Sequence, residues 1–194
     1  LLGRVQYDAE HDGYSYYMLK LHSSRIYLSK RYYDTNKGKF VEVSLGDTAG
    51  AAAVGEWAHA TMSFAGNEIT ISLNYTANGE EKTATKTITD NDETKGPVLT
   101  SGAIGLRGDY HYDGTAPDFT AEFDNVKVTM DGSVVFTEDF TLAEDQTKDD
   151  YFASCETAED AYTITGSMEN WNIDYSWEEE MGSESCSSEI SGDG

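Results

Sequence analysis

Carboxylates dominate the residues able to do chemistry in this chain. Its 194 residues carry 36 Asp and Glu against 13 Lys and Arg, a formal net charge of −23. Three clusters have the density of hard oxygen donors that suits Ca²⁺. They are Asp90, Asp92 and Glu93; Asp109, Asp113 and Asp118; and Asp124 with Glu138 and Asp139. The third carries a structural argument. If 121–128 and 133–140 form a hairpin, Asp124 and Asp139 lie across from each other, and two like charges there favour a cation between them. The alternative is that both point into solvent. None of the clusters has EF-hand spacing. The acidity also fits a surface kept soluble by its charge, or adaptation to high salt.

The same carboxylates do not assemble into a hydrolase. Glycoside hydrolysis needs a nucleophile or base and a protonated acid facing one groove. Glu178, Glu179 and Glu180 are consecutive, so on a strand they alternate between faces, while Glu122 and Asp124 share a face without a third acid. No G-x-S-x-G occurs, and His11, His22, His59 and His111 sit in unrelated contexts, so a Ser-His-Asp triad has no support. The expectation is a protein without catalysis. Sugar recognition needs aromatic platforms with polar neighbours. Tyr110 and Tyr112, in the Gly/Asp-rich stretch 108–118, are the best candidates, and Tyr32, Tyr33 and Trp177 are further ones; strand packing is the competing role of each.

Cys155 and Cys186 are the only cysteines. They fit one disulfide in an oxidising compartment or two unpaired thiols, and without a C-x-x-C neither a zinc ribbon nor a thioredoxin-type site is supported. Asn74-Tyr75-Thr76 is a glycosylation sequon. The acidity argues against nucleic acid and anionic membrane surfaces as partners, and no apolar run has the length of a membrane span. The first residue is Leu1 and no signal peptide is visible, the expectation for a mature or excised segment.

The elements that must position these residues read as strands. Alternation of period two runs through nearly the whole chain, with Tyr, Thr, Ser, Val and Ile abundant. GYSYYMLKLH (13–22) has apolar residues on both faces and predicts a strand buried on both sides over part of its length. SRIYLSK (24–30), FVEVSL (40–45), EWAHATMSF (56–64), EITISLNY (68–75) and GAIGLR (102–107) follow as strands. In EITISLNY, Ile69, Ile71 and Leu73 share one face. KTATKTITD (82–90) reads as a solvated edge strand guarded by lysines, and DNDETKGP (90–97) as a loop. FTAEFDNVKVTM (119–130) and SVVFTEDF (133–140) are joined at Asp131-Gly132. AYTITGSM (161–168) and NWNIDYSWEEE (170–180) are again strand-like, and the stretch from Gly182 reads as an acidic Gly/Ser linker. No 3.6-residue period extends beyond two turns. Roughly a dozen short strands separated by turns predict an all-β sandwich.

GEWAHATMSFAGNEITISLN (55–74), then GAIGLR, then FTAEFDNVKV, resembles the concanavalin A-like, laminin G-like jelly-roll superfamily. The matching positions are Trp57, Gly66-Asn67, Ile69, Ile71, Leu73, Ile104, Gly105, Leu106 and Phe123-Asp124-Asn125-Val126, and the resemblance covers about residues 1–128. The resemblance implies a jelly-roll β-sandwich whose opening strands stand out of order. Val135-Phe136-Thr137-Glu138-Asp139-Phe140 resembles the family's opening strand and Trp171-Asn172-Ile173-Asp174-Tyr175 an early core strand, yet both come after the closing one. The domain is then circularly permuted across the Asp131-Gly132 turn, or residues 133–181 complete a neighbouring copy's sandwich. The expected organisation is 1–130 as the main part of the sandwich, 131–181 as completing strands and 182–194 as tail. The functional expectation is an extracellular or cell-surface structural or adhesive module. It would self-associate with neighbouring copies into a filament or repeat array by strand complementation, stabilised by Ca²⁺. A carbohydrate-binding module of lectin or laminin G type is the alternative, and a glycoside hydrolase-like domain a remote third.

Overall fold

The computed structural model describes residues 1–111, 122–138, 171–180 and 183–192. Among them the chain is all-β: antiparallel strands and a single 3₁₀ turn, Glu93–Lys95. It divides into two compact units, Leu1–Ile104 and Gly105–Gly194, and the division falls inside strand β8, Ala103–His111.

In the first unit, β1 (Leu2–Asp8), β2 (Gly13–Leu21), β3 (Arg25–Asp34) and β4 (Lys39–Ala49) lie side by side in chain order. β5 (His59–Ala65), β6 (Glu68–Ala77) and β7 (Glu80–Thr89) make a separate three-stranded sheet. The alternation dictates how the two layers meet. Ile69, Ile71 and Leu73 all point from β6 into one core with Tyr17, Leu19, Ile26 and Leu28 of β2 and β3. Ala84 and Leu99 complete it, and Met62 and Phe64 of β5 pack at its margin. Each buried aliphatic side chain stabilises the fold by about 1.5–3 kcal/mol. The arrangement is β-sandwich-like. β2 is buried on both faces, as its sequence predicts: Tyr17 and Leu19 face this core, while Tyr16 and Met18 pack with Leu2 and Val5 on the other side.

Turns set the registers. The β5–β6 hairpin closes through Gly66-Asn67 between the paired residues Ala65 and Glu68. The β6–β7 hairpin closes through Asn78-Gly79, with φ of 56° and 76°, between Ala77 and Glu80. Two successive positive φ values define a type I′ turn, whose twist suits a two-residue hairpin. At the Asn78-Gly79 turn β6 and β7 each run two residues past the bounds read from their alternation, to Ala77 and Glu80. β7 is an outer strand and largely exposed, in agreement with the lysine-guarded edge.

In the second unit, β9 (Val126–Met130) and β10 (Ser133–Glu138) form a hairpin across Asp131-Gly132, again with both φ positive at 50° and 80°. β11 (Trp171–Glu180) pairs along its whole length with β12 (Ser183–Gly192). Four expectations need correction. β9 begins at Val126, not 119, so Asp124 precedes the ladder; Val126 is the partner of Glu138, and acid does not face acid within the described hairpin. β8 runs on to His111, so the backbone of Asp109 and Tyr110 is strand and not loop. Trp57 stands two residues before β5 and is 63% exposed rather than opening the strand. The Gly/Ser-rich stretch after Gly182 contains β12, which pairs with β11 despite its weak strand composition.

Candidate functional site

The chemistry that the described residues bring together lies at one end of the first unit. β3 alternates Ile26, Leu28, Lys30 and Tyr32 onto its buried face. A lysine therefore occupies a core position, and its ammonium must be matched. Asp90, the residue after β7, supplies the match. Lys30 is 0% and Asp90 1% exposed. Lys30 Nζ donates to Asp90 Oδ2 at 2.7 Å and Oδ1 at 3.0 Å, and to the carbonyls of Pro97 at 3.0 Å and Gly96 at 3.1 Å. Tyr17 Oη donates to Asp90 Oδ2 at 2.5 Å and accepts from the Leu99 amide at 3.1 Å. Burial, with the hydrogen bond to Asp90 second, pushes the Tyr17 hydroxyl well above its ordinary value of 10.0 and keeps it a donor. The Asp90 amide bonds the Asn67 carbonyl at 2.9 Å. The loop 90–99 is thereby tied to β2 and β3 by charge.

Above this network opens a cleft of about 760 Å³. Tyr32 and Tyr33 lie along it, and the His11 ring stacks on Tyr33 at 3.5 Å. One wall is the β3–β4 turn. Asp34 Oδ1 accepts from the amides of Asn36 at 3.0 Å and Lys37 at 3.3 Å, and the Gly38 amide bonds the Asp34 carbonyl at 2.8 Å. The other wall is loop 91–98. There Asp92 Oδ1 caps the 3₁₀ turn, accepting from the Thr94 amide at 3.0 Å and its hydroxyl at 2.6 Å. Gly96, at φ 80°, admits the Tyr32 ring where any Cβ would overlap it. Hydrogen bonding from Lys37 holds the Asp34 carboxyl below the ordinary range, and bonding from Thr94 does the same for Asp92. Asn36, Asn67 and Asn91 add exposed side-chain amides.

Of the sequence-derived candidates, the structure brings Asp90, Asp92 and Glu93 to one cleft without making them a ligand set. Both Asp90 oxygens are taken by Lys30 and Tyr17, so this trio does not fit a calcium ion. Among the described residues no three acidic, His or Cys side chains converge as metal ligands do. Asp124 accepts from its neighbour Asn125, at the amide (2.7 Å) and at Nδ2 (2.8 Å), and Glu138 is nearly buried. Asn74 stands exposed in β6, its Oδ1 accepting from Thr83 at 2.8 Å. Asp113, Asp118, Tyr112, Asp139 and Cys155 lie outside the described residues, while Asp109, Tyr110, Trp177 and Cys186 are placed by backbone alone, in β8, β11 and β12. Tyr32 and Tyr33 are the aromatic candidates that line a cleft. Lys30 and Tyr17 escape a motif search; the signal for Lys30 is a charged residue at the apolar parity of a strand. Neither a family model, nor a curated protein, nor a solved structure matches this chain.

Proposed function

We propose that the chain is a non-catalytic carbohydrate-binding module of adhesive type, whose glycan site is the cleft between the β3–β4 turn and loop 91–98. The observation that carries this reading is the cleft's lining. A tyrosine ring has an apolar face that suits sugar C–H groups, and of the two along the cleft Tyr33 is the partly exposed one, Tyr32 being buried. Asp34, Asp92 and the amides of Asn36, Asn67 and Asn91 supply the paired acceptors and donors that hydroxyl-bearing ligands need. Asp34 and Asp92 are both held in the ionised form, which suits acceptance of hydroxyl protons and removes them as proton donors to a glycosidic oxygen. The finer fold assignment, a concanavalin A-like jelly roll with permuted or exchanged strands, and a place outside the cell belong to the same proposal. The test is a glycan array probed with the soluble chain. Tyr33→Ala and Asp34→Asn should abolish the signal while far-UV circular dichroism stays unchanged. Loss in Tyr110→Ala or Tyr112→Ala instead, with Tyr33→Ala still binding, moves the site to the 108–118 segment.

A second reading, self-association by strand complementation, is favoured by a specific edge. Among the described residues β5 is an outer strand of its sheet, and its residues, HATMSFA, contain no Lys, Asp, Glu or Pro. Such an edge lacks the usual guards against strand addition. Val134 and Val135 of the β9–β10 hairpin are about half exposed, and a two-stranded hairpin gains from a further partner. Calcium would enter this reading through acids of 109–118 and 139. Ser63→Lys, which places a charge on the β5 edge, should reduce particle size in light scattering if this reading holds, and a chelator should do the same if calcium takes part.

A further inference from the structure

We propose that Lys30 and Asp90 join into an intramolecular amide that locks β3 to the end of β7. Four observations converge on this pair. Both groups are buried, at 0% and 1% exposure. The amine nitrogen lies 2.7 and 3.0 Å from the two carboxyl oxygens, the proximity that converts a bimolecular condensation into a favourable intramolecular one. A hydroxyl that stays protonated, Tyr17, donates to one of those oxygens at 2.5 Å. The carbonyls of Gly96 and Pro97 hold the remaining amine protons, at 3.1 and 3.0 Å.

The step balances without any added reactant. Lys30 passes one proton to Asp90 Oδ1, giving a neutral amine and a carboxylic acid. The Nζ lone pair attacks Cγ, and the N–C bond forms as the π electrons move onto Oδ2. Tyr17 Oη, already aimed at Oδ2, stabilises the charge that develops there, as a preorganised donor does in acyl transfer. A second proton moves from nitrogen to the Oδ1 hydroxyl, the C–Oδ1 bond breaks, and one water leaves. Asp90 lies on the cleft wall, which gives that water an exit. The product keeps its carbonyl on Tyr17 and its single N–H toward the loop carbonyls. The bond ties two facing layers of the core, closing a loop between residues sixty positions apart.

The test is the intact mass of the full folded chain, produced in a bacterial cytosol and measured fully reduced, so that neither glycosylation of Asn74 nor cysteine oxidation contributes. The expected mass is one water below that of the sequence, with a proteolytic fragment containing Lys30 covalently joined to one containing Asp90. Tyr17→Phe should leave a measurable fraction unlinked, and Lys30→Arg should restore the full sequence mass. A wild-type mass equal to the sequence mass overturns the proposal, whether or not any variant folds. A missing water mapped instead to a succinimide at Asp12-Gly13, Asp113-Gly114, Asp131-Gly132 or Asp193-Gly194 overturns it equally; hydroxylamine cleaves a succinimide and leaves a lysine amide intact.

Discussion

Until it is linked, Lys30 holds a charge in the core, so the stability it confers depends on its partners. Removing one member of such a pair leaves the other buried and unmatched, at a cost of about 3–5 kcal/mol. Lys30→Met/Asp90→Leu, in which an apolar pair carries no desolvation penalty, should therefore unfold in urea with a free energy higher than that of Lys30→Met by about that amount, a comparison between two chains neither of which can form the amide. Tyr17 has its own pH signature. Its hydroxyl titrates above the ordinary 10.0 in the folded chain. A raised folded value contributes stability that is complete below the unfolded value and is lost as pH rises through the folded one. The free energy of unfolding should fall from about pH 10 upward, and Tyr17→Phe should flatten part of that slope. Denaturant titrations at pH 8, 10 and 11 read the difference in slope independently of the lost hydrogen bond. The acids of this site were legible in the sequence as a cluster, but their roles were not. Asp90 and Asp92 are two residues apart, yet Asp90 turns inward to a lysine on β3 and Asp92 outward to cap a turn. Only the packing of β3 against loop 90–99 separates them.

Two glycines in connecting segments separate turn geometry from packing. Gly79, at φ 76°, has open space where a Cβ would stand. Gly79→Ala should cost about 1–2 kcal/mol, the penalty of a left-handed residue with a side chain. Gly96 combines φ 80° and ψ −177°, a region almost reserved for glycine and worth about 1–3 kcal/mol, with the Tyr32 ring standing where a Cβ would be. Gly96→Ala should therefore destabilise more than Gly79→Ala and should also weaken glycan binding, because Tyr32 must give way. Thermal melts of the two variants, with array binding of each, check both parts. At this scale the sequence was informative wherever one strand face is buried. Ile69, Ile71 and Leu73 announced β6, and the doubly apolar 13–22 announced a strand covered on both sides. It was least informative where neighbours, not composition, make the strand. Ser183–Gly192 has little strand character of its own and pairs because β11 lies beside it. Phe123 to Asn125 alternate like strand but lie outside the ladder, and Asn125 adopts φ 53°, which ends regular extension before β9.

At the scale of the whole molecule, the net charge of −23 separates the two functional readings. Neutral glycans bring no charge to the cleft, so their binding is governed by stacking and hydrogen bonds and changes little with ionic strength. Copies of this chain, by contrast, repel one another, and added salt screens that repulsion over a Debye length of about 10 Å at 0.1 M. Strand addition at β5 should therefore be weak in dilute buffer and strengthen steeply as sodium chloride is raised. Sedimentation velocity across a salt series, run beside glycan titrations in the same buffers, measures both. A particle that grows with salt in the wild type and stays small in Ser63→Lys supports assembly through the β5 edge. A particle that remains monomeric throughout, while glycan affinity holds steady, leaves the cleft as the functional surface. The growth would have to respond to sodium as it does to calcium, because screening acts through ionic strength, whereas a bridging ion would act at concentrations far below those that screen.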